Sequence, residues 1–205
     1  MTLSPVLDNV TVTISCLLYT SEVNKDNSKF SSVDGVLFNK NKTRLIQYPV
    51  GKNRTEYQIP NGIVEIGNWA FNNCHNLTNI ILPNSVKKIN ANAFNECQNL
   101  TDFIIPENVE FIGVLAFSGC RNIGNIEIPE SVKKIDAYAF NLCWYWHEGT
   151  VKFKRKVDFE YDKSMFWNGF FVSISIPFDA KDNYTKDDET IIFEHVPNNK
   201  VLFYN

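Results

Sequence analysis

Residues 74–97 read CHNLTNIILPNSVKKINANAFNEC, and the frame of this stretch returns every 23 residues. Pro60, Pro83, Pro106 and Pro129 keep that step, as do Cys74, Cys97, Cys120 and Cys143. The pairs Ala70-Phe71, Ala93-Phe94, Ala116-Phe117 and Ala139-Phe140 fall in the same register, and so do Ile66, Ile89, Ile112 and Ile135. Four independent columns over four copies define a repeat, and a period of 20–50 residues is the mark of a solenoid or related array.

Within one unit, Ile80 and Leu82 recur at a spacing of two, the period-2 pattern of a short strand. Pro83 ends it, having no N–H to give to a ladder. Val86 and Ile89 are expected to point inward. Gly67, Asn90, Gly113 or Asp136 follows the isoleucine; these are turn or N-cap residues, and they predict a short helical turn carrying Ala-Phe and the next Cys. The pattern continues as it fades. Six strands are predicted, ending at Ile59, Leu82, Ile105, Ile128, Phe153 and Ile176. The step from Ile128 to Phe153 carries two extra residues, and Met165 is read at the position where Phe140 would recur.

Working outward, Val33 to Phe38 and Arg44 to Pro49 read as a hairpin around the 39–43 loop, placed to cap the open end of the stack. Thr190 to Asn205 reads as two short strands at the other end. The chain then divides into an unassigned segment (1–30), a repeat domain with its hairpin cap (31–178) and a C-terminal loop and cap (179–205). Val10 to Tyr19 is moderately apolar, but Met1 to Asn9 lacks the basic residues of a signal peptide.

The 205 residues are 44% hydrophobic and 21% charged, which excludes wholesale disorder, and no uncharged apolar run reaches the length of a membrane-spanning helix. A net charge of −3 argues against a nucleic-acid partner. The unit C-x-N-L-x-x-I-x-L-P-x-x-V-x-x-I-x-x-x-A-F resembles the BspA-like leucine-rich repeat of the treponemal type, and DGVLFNKNKTRLIQYPVGKN resembles a hairpin linker of that family. The resemblance implies an α/β repeat solenoid, a right-handed superhelix with short parallel strands on its concave face and short helical or irregular segments on the convex one. It further implies a cell-surface or secreted protein that adheres to protein ligands such as host extracellular-matrix proteins, with no catalytic residues and no cofactor.

Residues between the buried strand positions are expected on the concave face. One line holds Gln58, Ile81, Ile104, Glu127 and Lys152; the line two residues earlier holds Glu56, Asn79, Asp102 and Asn125. A further slot beyond the proline holds Asn61, Asn84, Glu107 and Glu130. This face reads either as a protein-binding surface, with Ile81 and Ile104 as an apolar anchor, or as the solvated side of a structural spacer.

Other patterns point to bland chemistry. The four in-register cysteines have no C-x-x-C partner, and stacked equivalents point in parallel, so they read as buried free thiols. The acidic residues from Asp179 to Glu189 lack the spacing and glycine of a calcium loop. Lys152, Lys154, Arg155 and Lys156 read as an exposed basic edge. His75, His147 and His195 lie far apart, and no nucleophile elbow, phosphate loop or zinc-protease motif occurs. Among six N-x-[ST] sequons, Asn76 and Asn99 fall in a tight turn where a structural role is expected.

Overall fold

The computed structural model describes residues 21–101, 103–143, 149–154, 160–161, 164–165, 172–177 and 200–204. In chain order its strands are β1 (Phe30–Val33), β2 (Val36–Asn39), β3 (Arg44–Gln47), β4 (Glu56–Gln58), β5 (Glu65–Ile66), β6 (Asn79–Ile81) and β7 (Lys88–Ile89). They continue with β8 (Phe111–Ile112), β9 (Ile126–Ile128), β10 (Lys134–Ile135), β11 (Gly149–Phe153), β12 (Glu160–Tyr161), β13 (Val172–Pro177) and β14 (Lys200–Tyr204).

The coils of the repeat build two parallel ladders. The first is the predicted one. β4 pairs with β6 in the register Glu56↔Asn79 and Gln58↔Ile81, and β9, β11, β13 and β14 form a second stretch of the same line. The expected strand ending at Ile105 keeps its buried residues, Phe103 and Ile105, but residues 103–105 lie outside any strand. Of the two strands expected in the tail, β14 continues the line beyond β13; residues 190–199 lie outside the described residues.

The second ladder runs β5–β7–β8–β10–β12 and joins the N-terminal strands into one sheet of order β1-β2-β3-β5-β7-β8-β10-β12. A repeated bulge shapes it. In each coil one carbonyl accepts two successive N–H groups: Val64 and Glu65 donate to Thr43, Lys87 and Lys88 to Val64, Glu110 and Phe111 to Lys87, and Lys133 and Lys134 to Glu110. Two residues thus oppose one, as in a β-bulge. Both members of each pair escape burial, while the next residue, Ile66, Ile89, Ile112 or Ile135, is fully buried.

The Ala-Phe segment is not helical; no helix occurs among the described residues. Two positions per coil take the left-handed conformation instead. Trp69, Asn92, Leu115 and Tyr138 form one such column, and Asn73, Glu96, Gly119 and Leu142 the other. A left-handed residue every fourth position ends each turn before a helix can propagate. N–H groups then alternate in direction. Ala70, Asn72 and Cys74 donate three residues back within the coil, whereas Trp69, Phe71 and Asn73 donate across to Ala91, Ala93 and Asn95 of the next coil. The intercoil bonds replace those a helix would make, so the backbone remains satisfied.

The core is a set of stacked columns. Ala70, Ala93, Ala116 and Ala139 are fully buried, beside Phe71, Phe94, Phe117 and Phe140. The aromatic column starts in the cap: Tyr48 stacks on Phe71 at 5.3 Å between ring centroids, and the phenylalanines follow at 5.2, 5.2 and 5.3 Å. Phe103 sets its edge against both Phe94 and Phe117.

Cys74, Cys97, Cys120 and Cys143 are free and buried, as expected. Their thiols also form a ladder: Cys97, Cys120 and Cys143 donate from Sγ to the carbonyls of Phe71, Phe94 and Phe117 at 3.0, 3.1 and 3.1 Å. Burial pushes the Cys97 thiol up to about 12 and raises those of Cys74, Cys120 and Cys143 as well. Since the thiolate is the reactive species, the native protein is expected to leave these four thiols unlabelled by a thiol reagent at neutral pH, and to expose them only on unfolding. Rapid labelling of the native chain, read by mass spectrometry, would contradict this arrangement.

Two details of the sequence reading are corrected. The cap is a three-stranded meander, because Asp34 and Gly35, with φ of 51° and 72°, turn the chain between β1 and β2. This is the Asp-Gly turn with positive φ at both central residues that suits a two-residue hairpin. Met165 does not replace Phe140. Its carbonyl accepts from Phe140 N–H, the bond that Ala139 makes with Phe117, so fully buried Met165 occupies the alanine position. Tyr161 pairs with Ile135, which places a further added residue between Phe153 and Tyr161.

Candidate binding face

The outward residues of the first ladder form the candidate site. Glu56, Gln58, Ile81, Ile104, Asn125 and Glu127 are exposed, and Asn79 and Lys152 are half-buried. Asp102 lies outside the described residues. Alternation explains this placement: Tyr57, Ile80, Phe103, Ile126 and Val151 point inward between them. Ile81 is 48% exposed and Ile104 81% exposed. They occupy equivalent positions of adjacent coils, whose backbones lie about 4.8 Å apart at strand spacing.

Beyond this apolar pair the face is charged and internally matched. Glu127 meets Lys152 Nζ at 3.5 Å and Lys154 Nζ at 3.1 Å, and Lys154 also bonds Glu107. The hydrogen bond from Lys154 holds the Glu127 carboxyl below its ordinary range, and the bonds to Glu107 and Glu127 raise Lys154. A carboxyl lowered in this way stabilises the fold above its unfolded pKa, and the contribution is lost as pH falls through the folded value. Exposed pairs of this kind contribute little. The expected basic edge is therefore not free at Lys152 and Lys154; both are tied to carboxylates of neighbouring coils. Arg155, Lys156 and the acidic 179–189 stretch lie outside the described residues.

The turn sequons behave as structural elements. Asn76 Nδ2 donates to the Lys52 carbonyl at 3.2 Å and Asn99 Nδ2 to the His75 carbonyl at 2.7 Å, each reaching back one coil. No cluster of histidine, cysteine or acidic residues able to hold a metal, and no helix long and apolar enough to cross a membrane, occurs among the described residues.

A second outward face, that of the bulged ladder, was not anticipated from the sequence. It carries Arg44, Glu65, Lys87, Lys88, Glu110, Lys133 and Lys134, all at least partly exposed. The signal was present in the recurrence of Ser-Val-Lys-Lys-Ile at 85–89 and 131–135. Its two lysines share one outward side because of the bulge, and a simple alternating strand would have sent them to opposite faces.

A family model for the BspA type leucine rich repeat region matches residues 50–177 with six copies. This is more than half of the chain, and the chain belongs to that family. Among solved structures it is similar to the pneumococcal vaccine antigen PcpA, at 22% identity and a TM-score of 0.66, over 91% of this chain and 50% of that one. It is also similar to a leucine rich cell surface protein from Faecalibacterium prausnitzii, at 22% identity and a TM-score of 0.58, over 88% of this chain and 41% of that one. The leucine-rich repeat protein of T. pallidum is covered completely, with 90% of this chain, 16% identity and a TM-score of 0.51. At these identities the likeness concerns the fold. The chain spans about half the length of the first two of these proteins or less. No curated protein sequence matches it.

Proposed function

We propose that this chain is a non-enzymatic protein-interaction module, acting in adhesion at a cell surface or after secretion, and that the first-ladder face is where its protein ligand docks. The observation that carries the reading is the exposure of Ile81 and Ile104 on adjacent coils within a polar surround of Gln58, Asn79 and Glu127. Interface centres favour apolar groups ringed by polar ones, and repeat arrays use their extended faces for binding. A partner among extracellular-matrix proteins is suggested by the family, and a surface location by the name of the Faecalibacterium protein. No cofactor enters this reading.

The test is a surface-binding assay against immobilised fibronectin and fibrinogen. The double change Ile81→Ser and Ile104→Ser is expected to leave the melting curve close to the parent, because neither residue lies in a buried column. It is expected to weaken binding by about 1–2 kcal/mol or more. Unchanged affinity in the variant would move the docking surface elsewhere. Absence of any binding by the parent chain to matrix proteins would favour a structural spacer.

A further inference from the structure

Where the cap meander meets the bulged ladder, the outer face carries an open hollow of about 730 Å³. That is within the size range of ligand pockets. Half-buried Phe30, Ile46 and Val64 give it an apolar lining. Arg44, Lys87 and Lys88 also line it, with Glu65 as the acidic member. One wall is fixed by Asn39, whose Oδ1 accepts from the N–H groups of Thr43 and Arg44 at 2.9 Å and whose Nδ2 donates to Thr43 Oγ1.

The cations are poorly matched by the carboxylates present. Glu65 is shared between Arg44 Nε at 3.6 Å and Lys88 Nζ at 3.9 Å. Lys87 reaches Glu110 only at 3.7 Å, and Glu110 is held more closely by Lys133, at 2.7 Å. Charge-assisted N–H···O bonds run at about 2.7–2.9 Å, so all three cations around the hollow sit beyond that distance from their carboxylates. Arg44 Nε is buried and has no hydrogen-bond acceptor, and a buried unsatisfied donor is costly. The hollow therefore combines loosely paired cations with partly exposed apolar surface.

We propose that this hollow is a second binding site, distinct from the first-ladder face, and that it takes a short acidic peptide segment of a partner protein carrying an apolar or aromatic side chain beside its carboxylates. A carboxylate among Arg44, Lys87 and Lys88 pairs with the exposed charge of these cations, whose own carboxylates stand 3.6–3.9 Å away. The neighbouring apolar side chain covers Phe30, Ile46 and Val64. A sulfated or phosphorylated polymer offers the charge but nothing to cover the apolar lining, so the peptide chemistry fits both halves of the site.

The test uses the full chain and fluorescence anisotropy of a labelled synthetic peptide in which aspartates and glutamates flank a central phenylalanine. Binding is expected at low ionic strength and should weaken as salt is added. The chain carrying Lys87→Gln and Lys88→Gln is expected to bind about tenfold more weakly or worse. Its melting curve should stay near the parent, since both lysines are exposed. Replacing the peptide's phenylalanine by serine should also weaken binding, and the chain with Ile81→Ser and Ile104→Ser should bind the peptide as the parent does. No binding of the acidic peptide, equal binding of its serine or charge-reversed forms, or indifference to the lysine changes would each overturn the proposal. Heparin binding as tightly as the peptide would do the same. None of these outcomes bears on docking at Ile81 and Ile104, which the matrix-protein assay reads separately.

Discussion

Replacing Phe94 by alanine is expected to destabilise the protein by about 3–5 kcal/mol, the usual cost of deleting a buried aromatic ring. Phe94 is fully buried at the centre of the ring column. One face stacks on Phe71 at 5.2 Å and the other on Phe117 at 5.2 Å, while Phe103 meets it edge-on at 5.0 Å. Alanine would leave a void with aromatic walls on three sides. The intercoil bonds from Phe94 N–H to Ala116 and from Cys120 Sγ to the Phe94 carbonyl hold the backbone in place, so little collapse can fill it. Total stability of a domain is roughly 5–15 kcal/mol, so the melting temperature should fall steeply. Phe94→Leu, which keeps more of the volume, should cost less. A melting temperature that barely moved in the alanine variant would refute the column as the main source of cohesion.

The columns could be read from the sequence because each is a strict repeat of one chemical type. Burial of the alanines, phenylalanines, isoleucines and cysteines follows directly from that repetition. So does the outward placement of Ile81 and Ile104, since they alternate with buried neighbours. The second ladder left no such trace. Each of its strands holds only two residues, and one buried isoleucine per strand cannot display a period of two.

The absence of helix has a related cause. Ala70, Phe71 and Cys74 stand at positions that a helix would also bury on one face, so spacing alone cannot distinguish the two conformations. The distinction lies in the left-handed residues. Asn73, Asn92 and Gly119 are types that accept positive φ readily, whereas Trp69, Leu115 and Tyr138 in the same two columns conceal the pattern. A single left-handed non-glycine residue costs about 1–2 kcal/mol. Here the intercoil hydrogen bonds of the residues around it offset that cost, which is a tertiary effect invisible to any one repeat.

Ion pairing across coils is likewise a property of the stack. Glu127 is separated from Lys152 by 25 positions in the chain, yet β9 and β11 set them side by side in register. The cap and the acidic and basic outward columns are thus joined by the same hydrogen-bonded step from coil to coil. Buried columns fix that step; outward columns are free to carry different chemistry on different faces. The first-ladder face presents an apolar pair within a matched polar surround, and the bulged face presents, at Arg44, Lys87 and Lys88, cations whose carboxylates stand 3.6–3.9 Å away.

A chain beginning at Val50, and so lacking β1 to β3, is expected to lose its cooperative monomeric fold. The cap buries Val36, Phe38, Leu45 and Tyr48 almost completely, and Tyr48 closes the ring column over Phe71. It also supplies backbone partners. Val64 and Glu65 N–H donate to Thr43, Gly67 N–H donates to Leu45, and Tyr48 N–H donates to Ala70. The approach is close enough that a Cβ at Gly67 would stand 2.7 Å from the Leu45 carbonyl oxygen, which is why a glycine serves at that point of contact. Removing the cap would expose Ile66 and Phe71 and turn β5 into an open edge with unpaired N–H groups, a template for association. Terminal caps are needed for solubility in repeat arrays for this reason. Size-exclusion chromatography of the truncated chain should show aggregation, and its circular dichroism should show a broadened or absent melting transition. In the untruncated chain, Leu45→Asp should weaken the same junction by placing a carboxylate at a fully buried position. A truncated chain that stayed monomeric and melted within a few degrees of the parent would show that the first repeat closes its own end.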